Sequence, residues 1–223
     1  MVKSRSFLVA ALPRWFLNSI SNLTLSTRQG YYFIVLIERV LTVLSQEDND
    51  LLTRTGSGTP GGALLRRSWH PVALAEELPA NGTPLPVRIM SEDLVLFRDD
   101  QGQLGLIGLH CSHRRADLSY GRVENGGLRC LYHGWLYDRH GNCLEQPCEP
   151  PEKRFCEKVH HPAYRCHEQA GIIFAYMGPG EAPLFPAYEP FLAPSGHVLV
   201  TKIFHECNYF QANERNLDPS HVS

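Results

Sequence analysis

The sequence has no excess of charge of either sign: 21 Lys and Arg stand against 23 Asp and Glu, a formal net charge of −2. With a pI near 6.6, it offers no basic stripe, and a nucleic-acid ligand lacks its electrostatic footprint. Long apolar runs are also missing. Phe7 to Leu12 is too short for a good signal core, and the run from Tyr31 to Leu44 is broken by Glu38 and Arg39. Neither approaches the roughly 20 apolar residues that a spanning helix needs. Seven cysteines are too few and too irregularly placed for a disulfide scaffold, so a reducing compartment, the cytoplasm, is expected. There is no internal repeat and no low-complexity segment. The 43% apolar content over 223 residues is ordinary for a folded protein of one large or two small domains.

What the sequence does have is one chemically loaded stretch, CSHRRADLSYGRVENGGLRCLYH, from Cys111 to His133. It carries Cys111-x-His113, a loop of sixteen residues, then Cys130-x-x-His133. Two thiolates and two imidazoles suit either a tetrahedral zinc or a [2Fe-2S] cluster in which two histidines replace two cysteines on one iron. Zinc signatures usually group cysteine with cysteine and histidine with histidine. Here each pair is mixed, which lets each loop give one thiolate to one iron and one imidazole to the other. Gly134 and Trp135 follow, allowing a close backbone turn beside an aromatic plate that limits water. Cys143, Cys148, Cys156, Cys166 and Cys207 are read as free thiols.

CSHRRADLSYG followed by LRCLYHGWLYD resembles the Rieske motif of the ring-hydroxylating oxygenases, in particular large subunits of the phthalate 4,5-dioxygenase type. The resemblance runs from about Leu44 to the last residue. It departs at Arg115, where that family usually has glycine. Respiratory Rieske proteins fit less well, because their extra cysteines fall where this chain has Tyr132 and Ala116 or its neighbours. The resemblance implies a [2Fe-2S] cluster on Cys111, His113, Cys130 and His133. Two ferric ions, two sulfides, two thiolates and two neutral imidazoles sum to zero charge, against minus two for an all-cysteine cluster. An added electron is therefore easier to accept, and Rieske potentials sit at about −150 to +300 mV rather than near −400 mV.

The expected fold is mainly β with short helices. It comprises an extension over residues 1–42, disordered or weakly structured, a helical lead-in over 43–85, a cluster domain of antiparallel sheets over 86–180, and a linker with the start of an α+β catalytic domain over 181–223. The extension is basic, with Lys3, Arg5, Arg14, Arg28 and Arg39, and is read as lying outside the functional protein. Ser45 before Gln46-Glu47-Asp48 predicts an N-capped helix through Leu52, and Ala63 to Trp69 a further helical turn, with His70 structural. Strands are predicted at Pro86–Met90, Asp93–Arg98 and Leu104–His110. A turn at Asp99–Gly102 and a hairpin turn at Glu124–Gly127 place both ligand pairs at facing hairpin tips, and Trp135–Asp138 and Asn142–Glu145 form a third hairpin across Arg139–Gly141. A hairpin from Ala163 to Tyr176 closes the domain. His160, His161 and His167 lack partners in register and are not read as ligands. Five prolines between Pro179 and Pro194 mark a linker, and Val198 to Glu206 alternates like a strand.

In NLDPSH, Asp218-Pro219 reads as an N-cap with proline at the first helical position. The resemblance gives Asp218 the role of a carboxylate bridging toward a Rieske histidine, with His133 as counterpart, across a boundary of a homotrimer. It gives His221 the role of first ligand to a mononuclear Fe(II). A facial triad needs two histidines and a carboxylate, and the chain stops at Ser223. The 223-residue chain is therefore expected to bind the cluster without hydroxylating a substrate. The implied function takes electrons from an NAD(P)H-dependent reductase or ferredoxin and passes them to an iron that activates O2 on an aromatic substrate. A stand-alone Rieske ferredoxin and a zinc-stabilised interaction module are the alternatives, and neither nucleic acid nor membrane is an expected partner.

Overall fold

The structure is a computed structural model and describes residues 44–80 and 82–221; the extension expected over 1–42 lies outside them. The chain divides into two units, Met1–Asn49 and Asp50–Ser223. In the described part of the first, the Ser45 hydroxyl accepts from the Asp48 backbone N–H at 3.0 Å, the cap that Ser45 predicts. Helix α1 is Gln46–Thr53 and α2 is Pro60–Leu65. Thr59 caps α2, accepting from Gly62 N, and proline takes the first turn. Ala63 to Trp69 is thus not one helical turn: α2 ends at Leu65, and Trp69 opens a strand. His70 holds the Leu65 carbonyl at 2.6 Å, the structural part read for it.

The second unit is built on two antiparallel sheets. The larger holds β1 (Trp69–Leu74), β2 (Leu85–Ile89), β3 (Glu92–Arg98), β4 (Leu104–Gly108), β9 (Ala163–Gln169) and β10 (Ile172–Tyr176), in the order β1-β10-β9-β4-β3-β2. The smaller is β5 (Arg122–Glu124), β6 (Gly127–Arg129), β7 (Leu136–Asp138) and β8 (Cys143–Glu145), in sequence order. The fold is mainly β with short helices, as expected. Strand β3 shows why its sequence reads as a continuous apolar run: both of its faces are buried. Leu94 and Leu96 enter one core with Leu106, Ile173 and Met177. Val95 and Phe97 enter another with Ile107, Leu118, Leu128, Trp135 and Tyr137. Alternate residues point to opposite faces of a strand, so a strand between two cores needs apolar residues at every position.

The hairpin turns follow their chemistry. Asn125 and Gly126 both take positive φ, 51° and 75°, as a two-residue turn matched to strand twist requires. At the β3–β4 turn, Asp99 Oδ1 accepts from Gln101 N at 3.0 Å and Gln103 N at 2.7 Å. Toward the end of the chain, α3 is Glu189–Leu192 and α4 is Tyr209–Leu217. Asn208 caps α4 by accepting from Phe210 N and Gln211 N. Val198 to Glu206 does not form the strand its alternation predicts, and Leu199, Ile203 and Phe204 are left exposed. Alternation alone makes no strand without a neighbour to take its hydrogen bonds. No helix among the described residues is long and apolar enough to cross a membrane.

Candidate metal centre

Two loops carry the predicted ligands, one following β4 and one joining β6 to β7. Their backbones close alike. In the first, Cys111 N donates to Ala116 O at 2.9 Å and Arg115 N to Cys111 O at 2.8 Å. In the second, Cys130 N donates to Trp135 O at 2.9 Å and Gly134 N to Cys130 O at 3.0 Å. In both, the fourth residue after the cysteine has positive φ, 57° at Arg115 and 76° at Gly134. Gly134 has no alternative, since an added Cβ would lie 2.7 Å from Pro147 Cγ.

Like donors meet across the two loops. Cys111 and Cys130 are buried in the same core and unpaired by any disulfide. The Cys130 contact holds the Cys111 sulfur well below the usual thiol range, at about 5, with help from the Tyr137 hydroxyl, which lies 3.1 Å from it. The same contact, with burial, pushes the Cys130 thiol up. Two negative sulfurs side by side disfavour each other, a cost that a bound cation would relieve. The His113 and His133 rings are 4.6 Å apart, centroid to centroid. His113 stacks on Trp135 at 4.7 Å with planes only 3° apart, and Tyr132 packs on His133 at 3.8 Å.

The Nδ1 atoms of His113 and His133 are both buried with no hydrogen-bond partner. An unsatisfied buried polar atom costs about 1–3 kcal/mol, so two on facing imidazoles beside two buried sulfurs call for a group that takes all four. Among the described residues, no three of His, Cys, Asp and Glu are grouped as ligands of a single metal ion. A sulfur pair and a nitrogen pair fit a two-iron centre with one pair per iron better than one tetrahedral zinc.

Three supporting residues carry no signal in the ligand spacing. Tyr137 is fully buried, and burial together with its bond to Cys111 raises its pKa. His161 is 5% exposed, with Nδ1 2.7 Å from Ser112 Oγ and Nε2 2.7 Å from Gly108 O. Burial lowers its pKa, so the neutral ring takes the tautomer that donates Nε2–H to the carbonyl and accepts from the serine. That pins the loop between Cys111 and His113. Arg129, just before Cys130, donates Nη1 to Gly134 O at 2.6 Å and Nη2 to Glu145 at 2.7 Å, and Nε to Glu124. The signal for it was an arginine at an inward position of a short strand. Asp218 and His221 stand outside these loops, after α4. Asp218 Oδ1 accepts from Ser220 N at 2.9 Å and Ser220 Oγ at 2.7 Å, which lowers its pKa, and His221 ends the single turn Pro219–His221.

A family profile described as Rieske [2Fe-2S] domain matches residues 68–165. The chain is 47% identical over 182 residues to the 5,5'-dehydrodivanillate O-demethylase oxygenase subunit of Sphingobium sp., covering 80% of this chain and 43% of that protein. It is 45% identical over 185 residues to the phthalate 4,5-dioxygenase oxygenase subunit of Pseudomonas putida, covering 81% and 42%. Among solved structures, dicamba monooxygenase with non-heme iron and dicamba superposes with a TM-score of 0.52 at 28% identity, over 59% of this chain and 40% of that one. The chain spans about two fifths of the length of these curated relatives.

Proposed function

We propose that this chain, a member of the Rieske-type oxygenases, is the electron-entry part of an oxygenase subunit. Cys111 and Cys130 would hold one iron of a [2Fe-2S] cluster, and His113 and His133 the other through Nδ1. When bound, the cluster stores one electron at a time at a potential raised by the two neutral imidazoles that stand in for thiolates. The residues around it do the rest. Trp135 and Tyr132 exclude water from the imidazoles, Tyr137 donates to the Cys111 sulfur, and His161 and Arg129 fix the two loops. With each Nδ1 turned inward, each Nε2 is the ring nitrogen left to face a partner.

The observation that carries this reading is the pair of buried, partnerless Nδ1 atoms on facing imidazoles, beside two buried free cysteines of the same core. Likeness to oxygenase subunits over 182 residues, nearly twice the length of the Rieske match at 68–165, supports a place within an oxygenase over a stand-alone carrier. The proposed layout keeps 1–42 as an extension, 43–85 as lead-in, 86–180 as cluster domain and 181–223 as the start of the iron domain. In a longer chain, Asp218 would bridge to His133 of a neighbouring subunit in a homotrimer, and His221 would be one ligand of a mononuclear Fe(II). Electrons would come from an NAD(P)H-dependent reductase or ferredoxin in the cytoplasm, and O2 and an aromatic compound would be the substrates.

Anaerobic reconstitution with iron and sulfide tests the reading. A coloured chain whose reduced form gives an average g value clearly below that of an all-cysteine ferredoxin is expected. A colourless chain that retains zinc would refute it.

A further inference from the structure

Two cysteines outside the ligand set meet in the core behind it. Cys143 opens β8 and is buried, and Cys156, partly exposed, packs against the same core as Cys111, Cys130 and Trp135. Their segments run antiparallel between two ties. On one side His161 N donates to Gly141 O at 2.8 Å, with Asn142 bridged to His160; on the other, Phe155 N donates to Gln146 Oε1 at 2.8 Å. Between the ties, Cα atoms of β8 come within 8 Å of those of the single turn Cys156–Lys158. A disulfide needs Cα atoms about 4.4–6.8 Å apart, so closing one here asks for little backbone movement. Burial first, then the charge of Cys156, pushes the Cys143 thiol up. Two packed thiols alone are small apolar side chains; what sets this pair apart is the wall it holds. Phe155, next to Cys156, meets Trp135 edge-on with ring centroids 5.6 Å apart, and Trp135 is the plate stacked on His113.

We propose that Cys143 and Cys156 are a redox-active dithiol, closed to a disulfide by a small-molecule disulfide, and that closure locks the Phe155–Trp135 wall against His113. The lock rests on the electron-entry reading; the dithiol does not. Cys156, the accessible sulfur, attacks as thiolate, breaking the S–S bond of the small disulfide and releasing one thiol, which takes up the proton Cys156 gave up. The mixed disulfide on Cys156 no longer carries the charge that opposed ionisation of Cys143. The Cys143 sulfur then attacks it, the Cys143–Cys156 bond forms, and the second small thiol leaves with the proton of Cys143. Two electrons pass from the pair, which is oxidised, to the small disulfide, which is reduced to two thiols.

The test incubates the reconstituted full chain with glutathione disulfide under nitrogen, quenches in acid and alkylates the remaining thiols. Digestion with trypsin and a glutamyl endopeptidase, cutting after Arg154 and Glu145, puts Cys143, Cys148 and Cys156 on separate peptides for mass spectrometry. A link between the Cys143 and Cys156 peptides is expected, reopened by dithiothreitol, kept in Cys148→Ser and absent from Cys156→Ser. Iron release to a chelator should slow about tenfold in the oxidised parent, since a cross-link suppresses opening of the segment it closes, and should not slow in Cys156→Ser. Glutathione left on Cys156 with no link to Cys143, or a link through the exposed Cys148 instead, overturns the dithiol. A linked pair whose iron release matches the reduced parent overturns the lock. A parent that takes up no cluster overturns the electron-entry reading and the lock with it, while the peptide map still decides the dithiol.

Discussion

Replacing Arg129 with methionine separates a loop clamp from a surface ion-pair cluster. Its guanidinium is 10% exposed, whereas the Glu145 and Glu124 side chains are 46% and 34% exposed. Burial opposes its charge, and hydrogen bonds to Glu145 and Glu124 more than offset this, holding its pKa above the usual arginine value. Solvent screens carboxylates this open, so each ion pair contributes about 0–1 kcal/mol. The bond to Gly134 O at 2.6 Å is different, because methionine leaves that carbonyl without its donor, at a cost of about 1–3 kcal/mol. Methionine keeps most of the apolar stem, so packing loss is minor. The total is about 1–5 kcal/mol. At about 2–4 °C per kcal/mol for a chain of this size, the melting midpoint should fall by about 2–20 °C. Circular dichroism melts of the reconstituted protein measure this, and Glu124→Gln and Glu145→Gln serve as controls that should cost under about 1 kcal/mol each. If Arg129→Met melts within 1 °C of the parent, or if either glutamine variant costs as much as the arginine change, the carbonyl clamp is not what holds the second loop.

Cys111→Ser or His133→Ala should lose the cluster and loosen the domain, because ligation contributes to folding; a variant with full iron content and unchanged visible absorbance contradicts the assignment. Tyr137→Phe should keep the cluster but lower its midpoint potential in an EPR-monitored redox titration, since the 3.1 Å contact to the Cys111 sulfur favours the more negative state. At about 0.5–1.5 kcal/mol for one hydrogen bond, the drop is about 20–60 mV. His161 predicts an acid-side loss of stability. Its folded pKa lies below the ordinary 6.5, so the unfolded chain binds the proton first, and stability, full above about pH 6.5, is lost as pH falls toward the folded value. The slope is at most about 1.4 kcal/mol per pH unit, and denaturant titrations at several pH values should find it absent in His161→Gln. Gly141→Ala should destabilise strongly, because an added Cβ would lie 2.0 Å from His161 O at a φ of 82°; a normal melt would refute that close approach.

The hairpins were legible because their turns carry local chemistry, and β2, β3, β4 and β7 to β10 fall within a residue or two of the expected positions. Strand β1 was not. Pro71 interrupts its pattern, and it sits at the sheet edge, paired only with β10 through an irregularity between Pro71 and Ala73, where proline is tolerated. Helix α4 was missed for the opposite reason. Its signal is the cap, Asn208, while NYFQANERNL has too weak an apolar stripe to announce a packed helix. Val198 to Glu206 erred in the other direction, having a strand's alternation but no strand beside it.

At the site, the four candidate ligands were legible because spacing is a local property, and their grouping was not, because it is set by packing. The histidines stand two residues after Cys111 and three after Cys130, yet the loops close with identical hydrogen bonds. The offset therefore belongs to the side chains, and it lets imidazole meet imidazole at 4.6 Å while sulfur meets sulfur in the core. Tyr137, Ser112 with His161, and Arg129 then hold that arrangement through contacts spanning 26, 49 and 5 residues. The two longer contacts leave no periodic trace in the sequence, and the short one looks like any strand arginine until its carbonyl partner is placed. Spacing can thus name the donors of such a centre. The buried tyrosine, histidine and arginine, which no ligand motif includes, decide whether both loops are held firmly enough for one electron to pass without the ligands moving.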